Sequence, residues 1–130
     1  MNSERISLAL YVPVAAATAG TDADLYGVNR SGGKAKVVGV DFVADGAVTA
    51  NDTNYATFTA SVGGTSVGAM STTTTGTGDI ADGGVASVTL SGAGSNLIAD
   101  GGAVKVAITK AASGVAVAGT VVVTLERVRA

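Results

Sequence analysis

The carboxylates are the side chains of this sequence with the greatest capacity for chemistry. The 130 residues contain eight Asp and two Glu but neither His nor Cys. A Ser-His-Asp triad and a structural zinc site are therefore excluded within this chain. A carboxylate pair is the remaining route to catalysis, and Asp22/Asp24 and Asp41/Asp45 are the close pairs. Both pairs are more typical of turns and solvent-facing positions, so we expect no enzymatic activity and no catalytic residues.

Calcium is the metal that this composition leaves open, because oxygen ligands alone can hold it. Seven aspartates could converge with loop carbonyls: Asp22, Asp24, Asp45, Asp52, Asp79, Asp82 and Asp100. No segment matches an EF-hand loop or a glycine-aspartate calcium repeat. The glycine-rich segment 61–68 also lacks the Gly-Lys-Ser/Thr ending of a phosphate loop. Asp in turns that bond their own backbone is the simpler interpretation, and we expect no metal and no cofactor.

Two alternating basic couples lie at strand ends, Lys34/Lys36 and Arg127/Arg129. Alternation places each couple on one face of its strand. The functional interpretation is contact with an acidic partner surface. The alternative, which we favour at this stage, is a solvated strand end or an edge guarded against aggregation.

Charge and aromatic content bear on the class of partner. The formal net charge is -2, so no global field attracts nucleic acid. Tyr11, Tyr26 and Tyr55 are spread one per segment and do not form a base-stacking platform. No apolar run approaches the roughly 20 residues of a membrane helix, and we read no signal peptide. We expect neither nucleic acid nor membrane as a partner, and the weak charge is tolerable inside a large assembly.

The elements that position these residues are short strands. The length predicts one domain, 1–130. Alternating or β-branched runs predict strands over residues 6–14, 25–30, 34–44, 54–63 and 85–90. Residues 15–24 are predicted as a loop, in which the run AAATA could form a short helical turn. The polar stretch 65–78 is predicted as a long loop, and 91–96 as a turn.

The clearest strand signals lie between residues 97 and 128. Val104, Val106 and Ile108 share one face of a first strand, and Val121, Val123 and Leu125 share one face of a second. The two strands either pair antiparallel or face each other across a sandwich. With the others they make about seven or eight strands, which predicts an all-β fold, an antiparallel β-sandwich or a barrel. The tripeptide Ala-Asp-Gly recurs at 44–46, 81–83 and 99–101 as repeated turn chemistry.

The order of these segments resembles a known family. KVVGVDFVADGAVTAND is followed by TNYATFTASVGG, a Gly/Thr loop, LIADGGAVKVAITKAASG and a closing GTVVVTLE. Over roughly residues 34–129 this resembles the small β-sandwich decoration, or cement, proteins of tailed bacteriophage heads. The resemblance implies a jelly-roll-like sandwich that clamps neighbouring major capsid proteins on the outside of the shell, commonly as a homotrimer at local threefold positions. It carries no catalytic residues over to this chain.

We therefore expect a structural virion protein on the capsid surface, assembled in the host cytoplasm. Residues 1–33, which the resemblance covers least, are expected to contribute an N-terminal strand or arm, with 1–14 crossing to a neighbour. The alternatives are a head-fibre or tail component and a non-catalytic carbohydrate- or surface-binding module. A sugar site usually needs exposed aromatic side chains, and this chain has two Phe, three Tyr and no Trp.

Overall fold

The computed structural model describes residues 4–73, 78–91 and 96–128, and these form an all-β sandwich of two antiparallel sheets. Sheet 1 contains five strands: β1 (Arg5–Tyr11), β3 (Ala35–Ala44), β6 (Val85–Ser87), β8 (Leu97–Ile98) and β10 (Gly119–Arg127). Sheet 2 contains the other five: β2 (Ala23–Val28), β4 (Ala56–Val62), β5 (Thr65–Ser71), β7 (Thr89–Leu90) and β9 (Ala103–Lys110). The predicted fold class is confirmed.

Strand pairing nests the two ends of the chain. β1 pairs with the last strand, β10, and β2 pairs with β9. β3 pairs with β6 and β8, and β4 pairs with β5. Two further pairings, β10 with β3 and β9 with β4, join these pairs into continuous sheets. The strands β9 and β10 therefore face each other across the sandwich, which was the second of the two predicted arrangements.

The core lies between the sheets and follows the predicted alternation. Val104, Val106 and Ile108 of β9 are fully buried, as are the equivalent residues of β10, Val121, Val123 and Leu125. Phe42 of β3 and Phe58 of β4 join the two sheets, with ring centroids 4.7 Å apart and ring planes tilted by 34°. Tilted aromatic pairs of this kind add to the stabilisation from burial alone.

A β-bulge in β3 changes which valine of this strand faces the core, compared with simple alternation along residues 34–44. The sequence pattern placed Val38 with Val40 and Phe42. In the structure Leu125 is opposite Val37 while Thr124 is opposite Gly39, so Val38 is the extra residue of a bulge. Val37 is buried in its place and Val38 is only half-buried.

The predicted loop 65–78 is wrong over its first half. Residues 65–71 form β5, which pairs with β4 through a two-residue turn at Gly63 and Gly64, with φ of 59° and 83°. Consecutive positive φ values suit a tight hairpin turn, and Gly accepts them without strain. Residues 74–77, in the second half, lie outside the described residues, as do 92–95 of the predicted turn 91–96.

The predicted strand 85–90 is two strands in different sheets. β6 lies in sheet 1 and β7 in sheet 2, and the chain crosses between them at the buried Val88. The amide of Val88 donates to the carbonyl of Val40, 2.8 Å away.

The N-terminal third is integrated into both sheets. Residues 5–11 and 23–28 form β1 and β2, which are edge strands paired within the chain. The strand predicted over 6–14 ends at Tyr11, because Val14–Ala17 forms α1, a single helical turn after Pro13. Val14 is consequently exposed and does not share the apolar face of Leu8 and Leu10.

Candidate functional site

Three of the four carboxylates in the two predicted pairs have separate structural partners. Asp22 accepts a hydrogen bond from the backbone amide of Lys110 at 2.8 Å, whereas Asp24 lies 3.5 Å from the ammonium group of Lys105. Asp41 accepts from the hydroxyl of Ser87 at 2.5 Å, across β3 and β6. These carboxylates hold strands and loops in register, and among the described residues no three His, Cys, Asp or Glu side chains cluster as a metal site.

The repeated Ala-Asp-Gly sequence marks a motif of four residues, Ala-Asp-Gly-Gly, which we call the ADGG clasp. The first clasp, residues 81–84, grips Ala44 at the end of β3. The amide of its third residue donates to the carbonyl of Ala44 at 2.8 Å, and the carbonyl of its fourth residue accepts from the amide of Ala44 at 2.9 Å. Asp82 then accepts from the amide of Gly46 at 2.9 Å.

The second clasp, residues 99–102, repeats these bonds around Asn29 at the end of β2. The corresponding distances to the carbonyl and amide of Asn29 are 2.7 Å and 2.8 Å, and Asp100 accepts from the amide of Gly32 at 3.1 Å. The third residue has φ of 75° in the first clasp and 82° in the second, which explains why it is Gly in both. Sequence reasoning found the repeated tripeptide but missed the partner strands, which are distant in the chain.

Lys110 is a half-buried cation held by the backbone of two loops. Its ammonium group donates to the backbone carbonyls of Ala16, Thr18 and Val115 at 2.8, 3.0 and 2.7 Å. Burial lowers the pKa of Lys110 from its ordinary value, and the carboxylate of Asp22 acts in the opposite direction. Three carbonyl partners occupy all three donors of the ammonium group, so Lys110 ties the loop around α1 to the loop after β9.

Strand register places most of the basic residues at one end of the sandwich, which we call the basic end. This end contains the start of β1 and β3, the end of β10 and the second clasp. Its described basic residues are Arg5, Arg30, Lys34, Lys36 and Arg127, and its acidic residues are Glu4, Asp100 and Glu126.

The opposite end, which we call the acidic end, contains the end of β1, α1, the first clasp, the loop before β4 and the loop after β9. These two loops meet where Asn54 accepts a hydrogen bond from the amide of Ser113. Its described acidic residues are Asp22, Asp41, Asp45, Asp52, Asp79 and Asp82, and its described basic residue is Lys110. Asp24 and Lys105 pair with each other between the two ends. The small net charge of the chain therefore conceals a pronounced separation of charge along the sandwich.

The predicted basic couples are only partly brought together. Lys34 and Arg127 meet at the basic end, where the amide of Val128 donates to the carbonyl of Lys34 and the Arg127 guanidinium lies against Gly33. Lys36 is opposite Glu126 across the strands. Arg129 lies outside the described residues. Arg5 and Arg30 belong to the same end. The sequence analysis missed them because strand pairing and loop closure, which bring them there, cannot be seen in a linear pattern.

A second surface lies along the edge formed by β1 and β2, which we call the tyrosine edge. Tyr11, Val14 and Tyr26 are 77%, 87% and 60% exposed there. Tyr11, Pro13, Asp24 and Tyr26 line a shallow open groove between the two strands. Large apolar side chains left in solvent along a strand edge are typical of an interaction surface.

Comparison with known proteins gives no relative: no protein family, no curated protein and no solved structure matches this chain. No helix in the described part of the chain is long and apolar enough to cross a membrane.

Proposed function

We propose that this protein is a structural virion protein that binds the outside of a phage capsid as a decoration, or cement, protein and stabilises the assembled shell. The observation that carries the proposal is how the polar groups are used. Asp22, Asp41, Asp82 and Lys110 bond strands and loops of the fold, while the tyrosine edge and the basic end stay exposed. A molecule with this distribution of polar groups is suited to binding surfaces.

The strand pairing supports the finer proposal that the sandwich is jelly-roll-like. A jelly roll has eight main strands in two sheets made of two Greek keys. Leaving aside the two-residue strands β7 and β8, the eight remaining strands pair first with eighth, second with seventh, third with sixth and fourth with fifth. These nested pairs are what one long β-hairpin would give if it were rolled up so that its strands divide between two sheets.

We further propose that the protein acts as a homotrimer on the major capsid protein, at the capsid surface. The tyrosine edge supports this, because it offers exposed Tyr11, Val14 and Tyr26 to a second copy. Three copies held together engage three sites at once, which raises avidity by orders of magnitude without new contacts.

Co-sedimentation with empty assembled shells tests the proposed function. We expect the purified protein to sediment with assembled shells and to bind dissociated capsid subunits far more weakly, because the site exists only where subunits meet. Decorated shells should also resist heat better than bare shells. Equal binding to shells and free subunits, or no binding to either, would contradict the proposal. Binding to tails or fibres alone would favour the alternative of a tail or head-fibre component.

A carbohydrate-binding module is the second candidate, and the groove between Tyr11 and Tyr26 is the observation that favours it. Exposed aromatic rings can stack on sugar rings, and the carboxylate of Asp24 in the same groove can accept hydroxyl hydrogen bonds. A glycan array would separate the two candidates. Saccharide binding that is lost in Tyr26→Ala, together with no affinity for shells, would select this alternative.

A further inference from the structure

The charge separation along the sandwich points to a docking surface. We propose that the basic end binds a carboxylate-rich protein surface, and that in the proposed decoration protein this end faces the shell while the acidic end faces outward. Only one part of the inference rests on the proposed function, namely that the partner is a capsid shell.

The basic end carries cations that form no ion pair with any described carboxylate of the chain, and the carboxylates of the acidic end lie at the other end of the sandwich. Among the described residues, Arg30, Lys34 and Lys36 form no ion pair. Arg30 and Lys34 are exposed. At the acidic end the carboxylates of Asp22, Asp79 and Asp82 already accept from backbone amides. These neutral donors fix the carboxylates in place without cancelling their charge, so the molecule presents positive charge at the basic end and negative charge at the acidic end.

The two arginines that already form ion pairs at the basic end keep N–H donors free for a partner. Arg5 Nε lies 3.0 Å from Glu126, and Arg127 Nη1 lies 3.9 Å from Glu4. Each guanidinium has five N–H donors, so both retain donors for carboxylates of a partner.

The loop that carries Arg30 and Lys34 is held rigidly before any partner arrives. Asn29 is fully buried, and its side-chain amide donates to the carbonyls of Gly33, Ile98 and Ala99 at 2.9, 3.0 and 3.2 Å. The amide of Ser31 donates back to the Asn29 side-chain oxygen at 3.0 Å. A loop fixed at four points loses little conformational entropy on binding, which favours recognition.

The composition of the basic end selects a protein surface over nucleic acid. Glu4, Asp100 and Glu126 lie among the cations. Carboxylates at these positions would repel the rigid, closely spaced phosphates of a duplex, whereas glutamate side chains on a flexible polypeptide can turn away from them. A protein surface of mixed charge can place its own Lys or Arg opposite them, and electrostatic complementarity of this kind fixes orientation and partner choice.

Binding to immobilised poly-L-glutamate at about 0.01 M salt tests the inference, because charges interact over about 30 Å at that ionic strength. The wild-type chain should bind despite its net charge of -2. The variant Arg30→Gln/Lys34→Gln should bind about tenfold more weakly, since charges at a contact mainly set association. The matched control Thr53→Glu/Ser113→Glu makes the same change in net charge at the acidic end, on exposed residues, and should bind like wild type.

No binding of the wild-type chain, or equal weakening of both variants, would overturn the inference. Tighter binding to immobilised duplex DNA than to poly-L-glutamate would assign the basic end to nucleic acid instead. Thermal unfolding of each variant checks that the fold is intact.

Co-sedimentation separates this inference from the proposed function. If both variants sediment with shells as wild type does, the basic end is not the docking surface and the function stands. If poly-L-glutamate binds through the basic end but shells do not bind, the function fails and the surface stands.

Discussion

Lys110 shows how a single charged side chain can be committed to the fold. It is the described cation of the acidic end, yet its three donors are occupied by the carbonyls of Ala16, Thr18 and Val115. The sequence could not reveal this role, because two of the three acceptors lie more than 90 residues away. Periodicity places Lys110 at the end of β9 but says nothing about backbone carbonyls contributed by other loops.

Replacing Lys110 with Met should lower the free energy of unfolding by about 2 kcal/mol, because two half-buried carbonyls and one exposed carbonyl lose a charged donor. Chemical denaturation measures this change. Lys105→Met is the matched control on the same strand, where the exposed pair with Asp24 should contribute less than about 1 kcal/mol. Equal effects of the two substitutions would show that the carbonyl contacts of Lys110 do not stabilise the fold.

The elements were predictable wherever alternation alone defines a buried face. β4, β9 and β10 agree with their predicted faces because each alternates without interruption over seven or more residues. β5 was missed because Val67 is its one fully buried residue, and small or polar side chains surround it. The bulge at Val38 and the sheet crossing at Val88 were missed because both depend on partner strands, which a linear pattern does not contain.

The ADGG clasps are the elements whose energetic role can be tested directly. Asp82→Ala should lower the free energy of unfolding by about 1 kcal/mol, because the amide of Gly46 loses its acceptor. Asp82→Asn keeps a side-chain oxygen and should recover most of the loss. Asp52→Ala is the control, since Asp52 is exposed and forms no side-chain bond among the described residues, and it should change stability by less than about 0.5 kcal/mol. If urea denaturation gave Asp82→Ala and Asp52→Ala the same small change in the free energy of unfolding, the hydrogen bond of Asp82 would not stabilise the fold.

On the scale of the whole molecule, the separation of charge and the apolar edge are properties of the fold. Arg5 and Arg127 are 122 positions apart in the sequence, and they share one end because β1 pairs with β10. Tyr11 and Tyr26 line one groove because the two edge strands lie side by side. Composition indicated a weakly charged chain, and only the three-dimensional structure shows at which end of the sandwich each sign of charge lies.

The two surfaces fit one arrangement of copies. If three chains pack side by side through the tyrosine edge, their long axes run together and all three basic ends face the same way. The accessible surface of one chain is 6439 Å², and a standard contact takes roughly 800 Å² of it, so a lateral contact leaves the basic end free. β1 pairs within its own chain, so this trimer requires no exchange of an N-terminal arm.

Tyr11→Glu tests this arrangement against a control in the same row of sheet 1. Tyr11 is opposite Thr120, which is opposite Val43, which is opposite Val85 on the far edge. Light scattering should give a wild-type mass near three times 12.4 kDa. Tyr11→Glu should give a mass near one chain, because it buries an unpaired charge in each lateral contact, and it should retain its thermal stability because Tyr11 is 77% exposed. Val85→Glu introduces the same charge at a residue that is 63% exposed and should keep the wild-type mass. A monomeric wild-type protein would refute the trimer, whereas a trimer that survives Tyr11→Glu or dissociates in Val85→Glu would place the contact between copies elsewhere.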